Sequence, residues 1–186
     1  SDEAQPTPNM EWHVQPLSLD QFGSPLHRFN AITPSVCNLR PASRGAITAQ
    51  SLDPLAAPKI NLNYLSNPAD EAVALAGLRM TRRIMKAKAL ARFLPEEWKP
   101  GPERQSDAEL LDAARDLGTT IFHPVGTCKM GSDSAAVVDD RLMVHGCKGL
   151  RVIDAAIMPL ITSGNTNAPT VMIAEKGAQF IIEDAG

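Results

Sequence analysis

The sequence lacks an excess of basic residues and any long apolar run. Its 18 Lys and Arg against 21 Asp and Glu give a formal net charge of -3. Such a charge provides no broad attraction for phosphate backbones or anionic lipid, so no nucleic-acid partner is expected. No apolar run approaches the roughly 20 residues that span a bilayer. The opening SDEAQPTPNMEW has neither the basic nor the apolar region of an export signal. We expect a soluble chain without a membrane segment.

Cysteine is also scarce. Cys37, Cys128 and Cys147 lie far apart, and no CxxC or close Cys/His spacing suggests a tetrahedral metal site. The sequence therefore predicts no metal site. An odd number of widely separated thiols is typical of reduced cysteines, and we expect a cytoplasmic protein.

Proline is concentrated near the start of the chain, among polar residues. Because proline removes backbone donors and breaks regular elements, we expect an irregular lead-in over residues 1–33. The remainder has an ordinary globular composition, with 44% hydrophobic and 21% charged residues. The length of 186 residues is enough to bury a core, and we expect one main globular unit.

Short β-branched runs predict four strands. ITPSVCNL and GAITAQSL are separated by RPASRG, whose proline and glycine favour a bend, so these two runs are predicted to pair as an antiparallel hairpin. AVVDD and LRVID are two further strand candidates.

Three segments have helical patterns. Residues 69–93 place apolar side chains at helical spacing, with acids at the start and bases at the end. SDAELLDAARDL predicts a shorter helix in which Ser106 or Asp107, together with Glu109, provides the N-terminal cap. A terminal helix is predicted from APTVMIAEKGAQFIIEDAG, with Pro169 in its first turn. Its apolar residues occupy more than one stripe, which predicts burial on several sides.

Three stretches near the end follow one another in a fixed order: FHPVGTCKMG, VVDDRLMVHGCKGLRVIDAAIMP and GNTNAPTVMIAEKGAQFI. From Phe122 to Ile181 they resemble, almost continuously, the C-terminal signature of the glucose-methanol-choline oxidoreductases. This family comprises FAD-dependent alcohol oxidases and dehydrogenases, choline dehydrogenase among them. A long, ordered signature is much less subject to chance than a lone short motif. The resemblance implies an α+β substrate and cap domain over residues 34–168, with an antiparallel sheet flanked by helices.

The resemblance places His123 at the position of the family's catalytic histidine and Asn165 at that of its partner, which is His or Asn. In the implied reaction the hydroxyl proton of an alcohol goes to a base, and the carbinol hydrogen leaves as hydride to flavin N5. A neutral imidazole can accept that proton. An amide cannot act as the base, but it can donate a hydrogen bond to the substrate oxygen. Asn165 as a simple turn residue is the alternative interpretation.

The resemblance also implies a contact with FAD. Asp154 and Ala155 match the place where the family's chain meets the ribityl and pyrophosphate side of the cofactor. Asn167 matches a residue whose backbone N–H approaches the isoalloxazine, and a helix starting near Pro169 would direct its positive end at flavin N1 and C2=O. Asp154 as an ordinary cap at the end of a strand is the alternative.

The G-x-G-x-x-G segment that holds the ADP half of FAD is missing, since the chain contains no G-x-G at all. The resemblance therefore implies the C-terminal third or so of a longer enzyme, which alone would not hold FAD tightly or turn over. Residues 169–186 would pack on the missing FAD domain. In the isolated chain they would expose apolar surface or pair with a second copy.

Two other functions stay open at the level of sequence. One is a catalytically idle structural or partner-binding remnant that keeps the family's shape. The other is a hydroxynitrile lyase, which uses the histidine without net oxidation. The sequence leaves open which alcohol is the substrate. It also leaves open whether the reduced flavin passes its electrons to oxygen or to another acceptor.

Overall fold

A computed structural model describes residue 1 and residues 4–186. The described chain forms two compact units, the first made of residues up to 43 and 65–119, and the second of residues 44–64 and 120–186. Helices and two small antiparallel sheets make up the regular structure, which confirms the predicted α+β class. Among the described residues, no helix is both long and apolar enough to cross a bilayer.

The first unit contains a two-stranded sheet, in which β1 (Met10–Gln15) pairs antiparallel with β2 (Thr33–Asn38). The predicted irregular lead-in is therefore wrong for β1. Pro8 and Pro16 flank this strand instead of interrupting it, so every residue between them keeps its backbone donor.

The predicted hairpin between ITPSVCNL and GAITAQSL is also wrong. The first run forms β2 and pairs backwards in sequence with β1, whereas the second run contains β3 (Ala46–Thr48), which pairs with β4 (Lys59–Asn61) in the second unit. The proline and glycine of RPASRG do provide a break, but the chain leaves the first sheet there instead of turning back on itself.

Helix α1 (Pro68–Met85) packs on one face of the β1–β2 sheet. The Asn67 side chain caps its start by accepting from the Ala69 backbone N–H at 2.9 Å. The Trp12 indole N–H donates to the Thr81 hydroxyl at 2.8 Å, and Gly77 lies directly against Val36. The predicted helix over residues 69–93 is confirmed as far as residue 85; a short 3₁₀ helix at Lys88–Phe93 follows.

Helix α2 (Asp107–Leu117) begins as predicted. Ser106 and Glu109 form a reciprocal capping box, in which each side chain accepts from the other residue's backbone N–H. Leu110 is fully buried, and Arg115 donates to the Glu71 carboxylate at 2.6 Å, which joins α2 to α1.

The second unit has a small core under helix α3 (Asn167–Ala185), which begins in the predicted place. The AVVDD and LRVID segments form only isolated bridges, so they are not strands. Ile173 of α3 packs on the core, and Gly177 lies so close to Ile153 that an added Cβ would fall 2.5 Å from its Cγ2. The buried core side chains are Val138, Leu142, Ile157, Met158 and Ile173.

Only one side of α3 is covered. Val171, Met172 and Ile182 are 54%, 60% and 72% exposed, which agrees with the expectation that this helix exposes apolar surface in the isolated chain. Arg141 and Arg151 pair with Asp184 near the end of the helix, and the hydrogen bond from Arg151 is the main cause of the lowered pKa of that carboxyl.

Candidate active site

The loop over residues 122–130 carries His123 and is tied to the short 3₁₀ helix Ala155–Ile157. The Cys128 N–H donates to the Ala156 carbonyl at 3.0 Å, and the Met130 N–H donates to the Ile157 carbonyl at 2.8 Å. Gly126 has φ 89°, and an added Cβ there would lie 3.3 Å from the Met158 carbonyl oxygen. Glycine thus permits both the left-handed turn and the close approach that hold this loop.

Asp154 caps that same 3₁₀ helix. Its carboxylate accepts from the Ala156 N–H at 2.7 Å, while the residue remains exposed. Ala155 is half-buried against the core. Asp154 and Ala155 therefore stabilise the 3₁₀ helix that holds the His123 loop by hydrogen bonds. The Asp154 side chain is still exposed to solvent. The capping role and a contact with a ligand are compatible.

The imidazole of His123 is half-buried and contacts Thr166, 43 residues later in the chain. His123 Nδ1 lies 2.8 Å from the Thr166 hydroxyl oxygen and 3.4 Å from the Thr166 backbone nitrogen. Thr166 itself is only 6% exposed. Nε2, the other ring nitrogen, takes no part in this contact, so one side of the imidazole is fixed and the other is available.

Asn165 and Asn167 flank Thr166 and are both exposed. The fold therefore brings the histidine to the segment that holds its predicted partner and the predicted flavin contact. Sequence reasoning missed Thr166 because a threonine just before a helix is typical of an N-cap. Here its side chain makes no capping bond, and its hydroxyl contacts His123 instead.

The start of α3 offers N–H donors to acceptor atoms such as a ring nitrogen or a carbonyl oxygen. The first N–H groups of a helix have no intrahelical acceptor, and the helix dipole adds partial positive charge there. No side chain of the described residues 4–186 caps α3, and its first turn can donate to an external acceptor. These residues fit the pyrimidine side of a flavin.

Comparison with known proteins decides the family. A family model described as GMC oxidoreductase matches residues 41–174, most of the chain. The chain belongs to the GMC oxidoreductase family. The resemblance inferred from the three ordered stretches is thereby confirmed.

Two curated relatives in this family match nearly the whole chain. An alcohol dehydrogenase [acceptor] of Pseudomonas putida is 43% identical over 175 residues, which cover 94% of this chain and 32% of the relative. An oxygen-dependent choline dehydrogenase of Paraburkholderia xenovorans is 44% identical over 176 residues, covering 95% of this chain and 31% of the relative. The chain spans about a third of the length of these GMC oxidoreductases.

Solved GMC structures share the fold. A pyridoxine 4-oxidase from Mesorbium loti has a TM-score of 0.78 and 30% identity, covering 88% of this chain and 31% of that protein. A formate oxidase from Aspergillus oryzae, studied for its FAD modification, has a TM-score of 0.80 and 33% identity, with 89% and 29% covered.

The remaining histidines differ in their surroundings. His145 is exposed, with Nε2 3.1 Å from the Gly131 carbonyl oxygen, as expected for a surface histidine. His27 is half-buried, stacks on Phe29 and contacts the Ser18 hydroxyl. His13 is half-buried as well. His27 and His13 are therefore partly covered, whereas His145 is a surface histidine.

Proposed function

We propose that this GMC chain provides the proton-accepting site of an FAD-dependent enzyme that oxidises a primary or secondary alcohol to an aldehyde or ketone. The contact between His123 and Thr166 carries the proposal, because it sets an imidazole beside the segment 165–167 at the start of α3. Family membership and the names of the two dehydrogenase relatives support the reaction class.

His123 acts as the base in this proposal. With its hydrogen on Nδ1, the ring donates to the Thr166 hydroxyl and keeps the Nε2 lone pair for the alcohol proton. With the hydrogen on Nε2, the ring would instead accept from the Thr166 hydroxyl and backbone N–H, and it could not take up a proton from substrate. The 2.8 Å contact with the hydroxyl fits both arrangements, because a hydroxyl can accept as well as donate, whereas the 3.4 Å contact from the backbone N–H fits only the second. In this proposal an alcohol hydroxyl that donates to Nε2 selects the first arrangement.

Asn165 orients the alcohol. Its exposed amide N–H can donate to the substrate oxygen, where negative charge develops as the hydroxyl proton leaves. Asp154, Ala155 and the first turn of α3 at Asn167 would hold the cofactor. When bound, FAD supplies the acceptor for the hydride that leaves the carbinol carbon.

The exposed apolar side of α3 is the natural contact for an FAD-binding portion of the enzyme. Val171, Met172 and Ile182 together present a hydrophobic surface on a helix whose opposite side packs on the core through Ile173 and Gly177. In the chain on its own, the same side would be available to a second copy.

A chimaera tests the proposed reaction. This chain replaces the matching 175 residues of the Pseudomonas putida relative, and the purified protein is mixed anaerobically with a panel of primary and secondary alcohols. We expect bleaching of the flavin absorbance and one equivalent of aldehyde or ketone per flavin. The unaltered relative, prepared in parallel, provides the reference for FAD content.

Each of the two alternative functions predicts a different result for the chimaera. Aldehyde and cyanide released from a cyanohydrin, with the flavin still oxidised, would identify a lyase. A chimaera that binds FAD like the reference but reacts with no alcohol would identify a catalytically idle remnant. Either result overturns the proposal.

Thr166 is expected to position the base. In the chimaera, Thr166→Val removes the hydroxyl with little change of shape and should lower the rate constant for flavin reduction at least about tenfold, the size of loss seen when a metal-binding histidine loses its orienting partner. Thr166→Ser keeps the hydroxyl and should restore most of the rate. In ¹⁵N spectra of the His123 ring, the wild type with an unreactive alcohol analogue bound should show hydrogen on Nδ1. A rate equal to wild type in the valine variant would contradict this role.

A further inference from the structure

We propose that Glu11, His13 and Cys37 form a binding site for a divalent transition metal ion, with Zn²⁺ the best match. This site lies on the sheet of the first unit and uses none of the residues assigned to alcohol oxidation. The evidence for this metal site therefore does not depend on the proposed function.

Strand geometry places the three side chains on one face. Successive residues of a strand point to opposite faces, so Glu11 and His13 of β1 share a face. Cys37 of β2 lies directly opposite Glu11 in the antiparallel register, which puts it on that face too. Trp12 and Val36 point the other way, where α1 packs. A rigid sheet with one face already fixed therefore presents the three donors together.

The donor atoms are close enough to share one ion. One ligand atom from each residue lies within 4.8 Å of the other two, and His13 Nε2 is 3.7 Å from a Glu11 carboxylate oxygen. Zinc bonds of about 2.0–2.3 Å in tetrahedral geometry separate neighbouring ligand atoms by roughly 3.3–3.7 Å. The observed spacing thus needs only small rotamer adjustments to reach coordination distance.

The His13 imidazole supplies an independent observation. Its Nε2 atom is buried and has no hydrogen-bond partner among residue 1 and residues 4–186, although buried polar nitrogens are normally paired. Nε2 is also the ring nitrogen that lies 3.7 Å from the Glu11 carboxylate. An ion bound between these side chains would give the nitrogen its missing partner.

The Cys37 thiol is half-buried and lies beside the Glu11 carboxylate. Burial raises its pKa, and the negative charge of Glu11 raises it further. Both effects oppose the thiolate only as long as no positive charge is present. A bound divalent ion reverses the balance, because it stabilises the thiolate and the carboxylate together.

The ligand types select the metal. Thiolate and imidazole favour zinc and other borderline-soft ions over Mg²⁺ or Ca²⁺, which prefer oxygen ligands. Three protein ligands leave one tetrahedral position for water or another small ligand.

Titration of the whole 186-residue chain with Co²⁺, under reducing and metal-free conditions, tests the site. Thiolate-bound tetrahedral cobalt gives an intense charge-transfer band, which we expect at one ion per chain and which Zn²⁺ should displace. Zinc should also protect Cys37 from alkylation, measured at each cysteine by mass spectrometry. The second measurement identifies the thiol without relying on a variant.

Variants locate the ligands. Cys37→Ser and His13→Gln should each weaken zinc binding at least tenfold, whereas Cys147→Ser, which changes an exposed cysteine in the second unit, should leave it unchanged. Circular dichroism compares the folding of each variant with that of the wild type. Absence of the cobalt band in the wild type, or loss of binding in Cys147→Ser with Cys37 still open to alkylation, would overturn the site.

Discussion

Replacing His123 by alanine in the chimaera should lower the rate constant for anaerobic flavin reduction by alcohol about 10²- to 10⁴-fold, the usual contribution of a positioned general base. The loss is expected in the rate constant at saturating alcohol, because the variant removes the group that takes the hydroxyl proton. Stopped-flow absorbance of the flavin measures it directly. FAD content should stay at the level of the unaltered chimaera.

A diffusible base separates proton transfer from packing. If His123 accepts the proton, added imidazole should restore part of the rate in His123→Ala, since the small molecule can occupy the space left by the ring. His145→Ala is the matched control, because this exposed histidine in the same unit has no proposed contact with substrate, and its rate should remain within a factor of about two. Reduction in His123→Ala at the wild-type rate would remove the base from the mechanism.

The helices could be predicted because their signals are local. The capping box at the start of α2 needs only Ser106 and Glu109, three residues apart, and the structure contains it. Asn67 as the N-cap and Pro68 in the first turn likewise predict the start of α1. The apolar pattern predicts the end of α1 too late. It continues through the 3₁₀ helix Lys88–Phe93, whereas the α-helical hydrogen bonds do not.

The pairing of the strands could not be predicted from local sequence patterns. β1 and β2 are joined through a proline-containing stretch, and no short turn signal sets their register. The Glu11, His13 and Cys37 cluster depends wholly on that register, which explains why a search for closely spaced metal ligands missed it. Ordered family motifs, in contrast, located His123 and Asn165 in sequence. The hydroxyl of Thr166 as a partner for the imidazole could only be found in three dimensions, since nothing local distinguishes it from a helix cap.

Asp70 illustrates a further limit of sequence reasoning, since its place in the first turn of α1 suggested only a favourable charge at the helix start. In the structure Asp70 is 4% exposed, and its carboxylate binds the loop that follows β2. It accepts from the backbone N–H groups of Ala42 and Ser43 at 2.8 Å and 2.7 Å, and from the Asn38 amide at 3.1 Å. One buried carboxylate thus joins the end of the sheet to the start of the helix.

Asp70→Ala should therefore lower the free energy of unfolding of the first unit by about 3 kcal/mol or more, because two backbone donors lose their acceptor at roughly 1–3 kcal/mol each. Asp70→Asn, which keeps one carbonyl oxygen, should cost less. Asp116→Asn changes an exposed acid on α2 and should stay within about 0.5 kcal/mol of wild type. Urea unfolding followed by tryptophan fluorescence reports on this unit, since Trp12 and Trp98 both belong to it. Equal unfolding midpoints for Asp70→Ala and Asp116→Asn would show that the loop does not depend on this carboxylate.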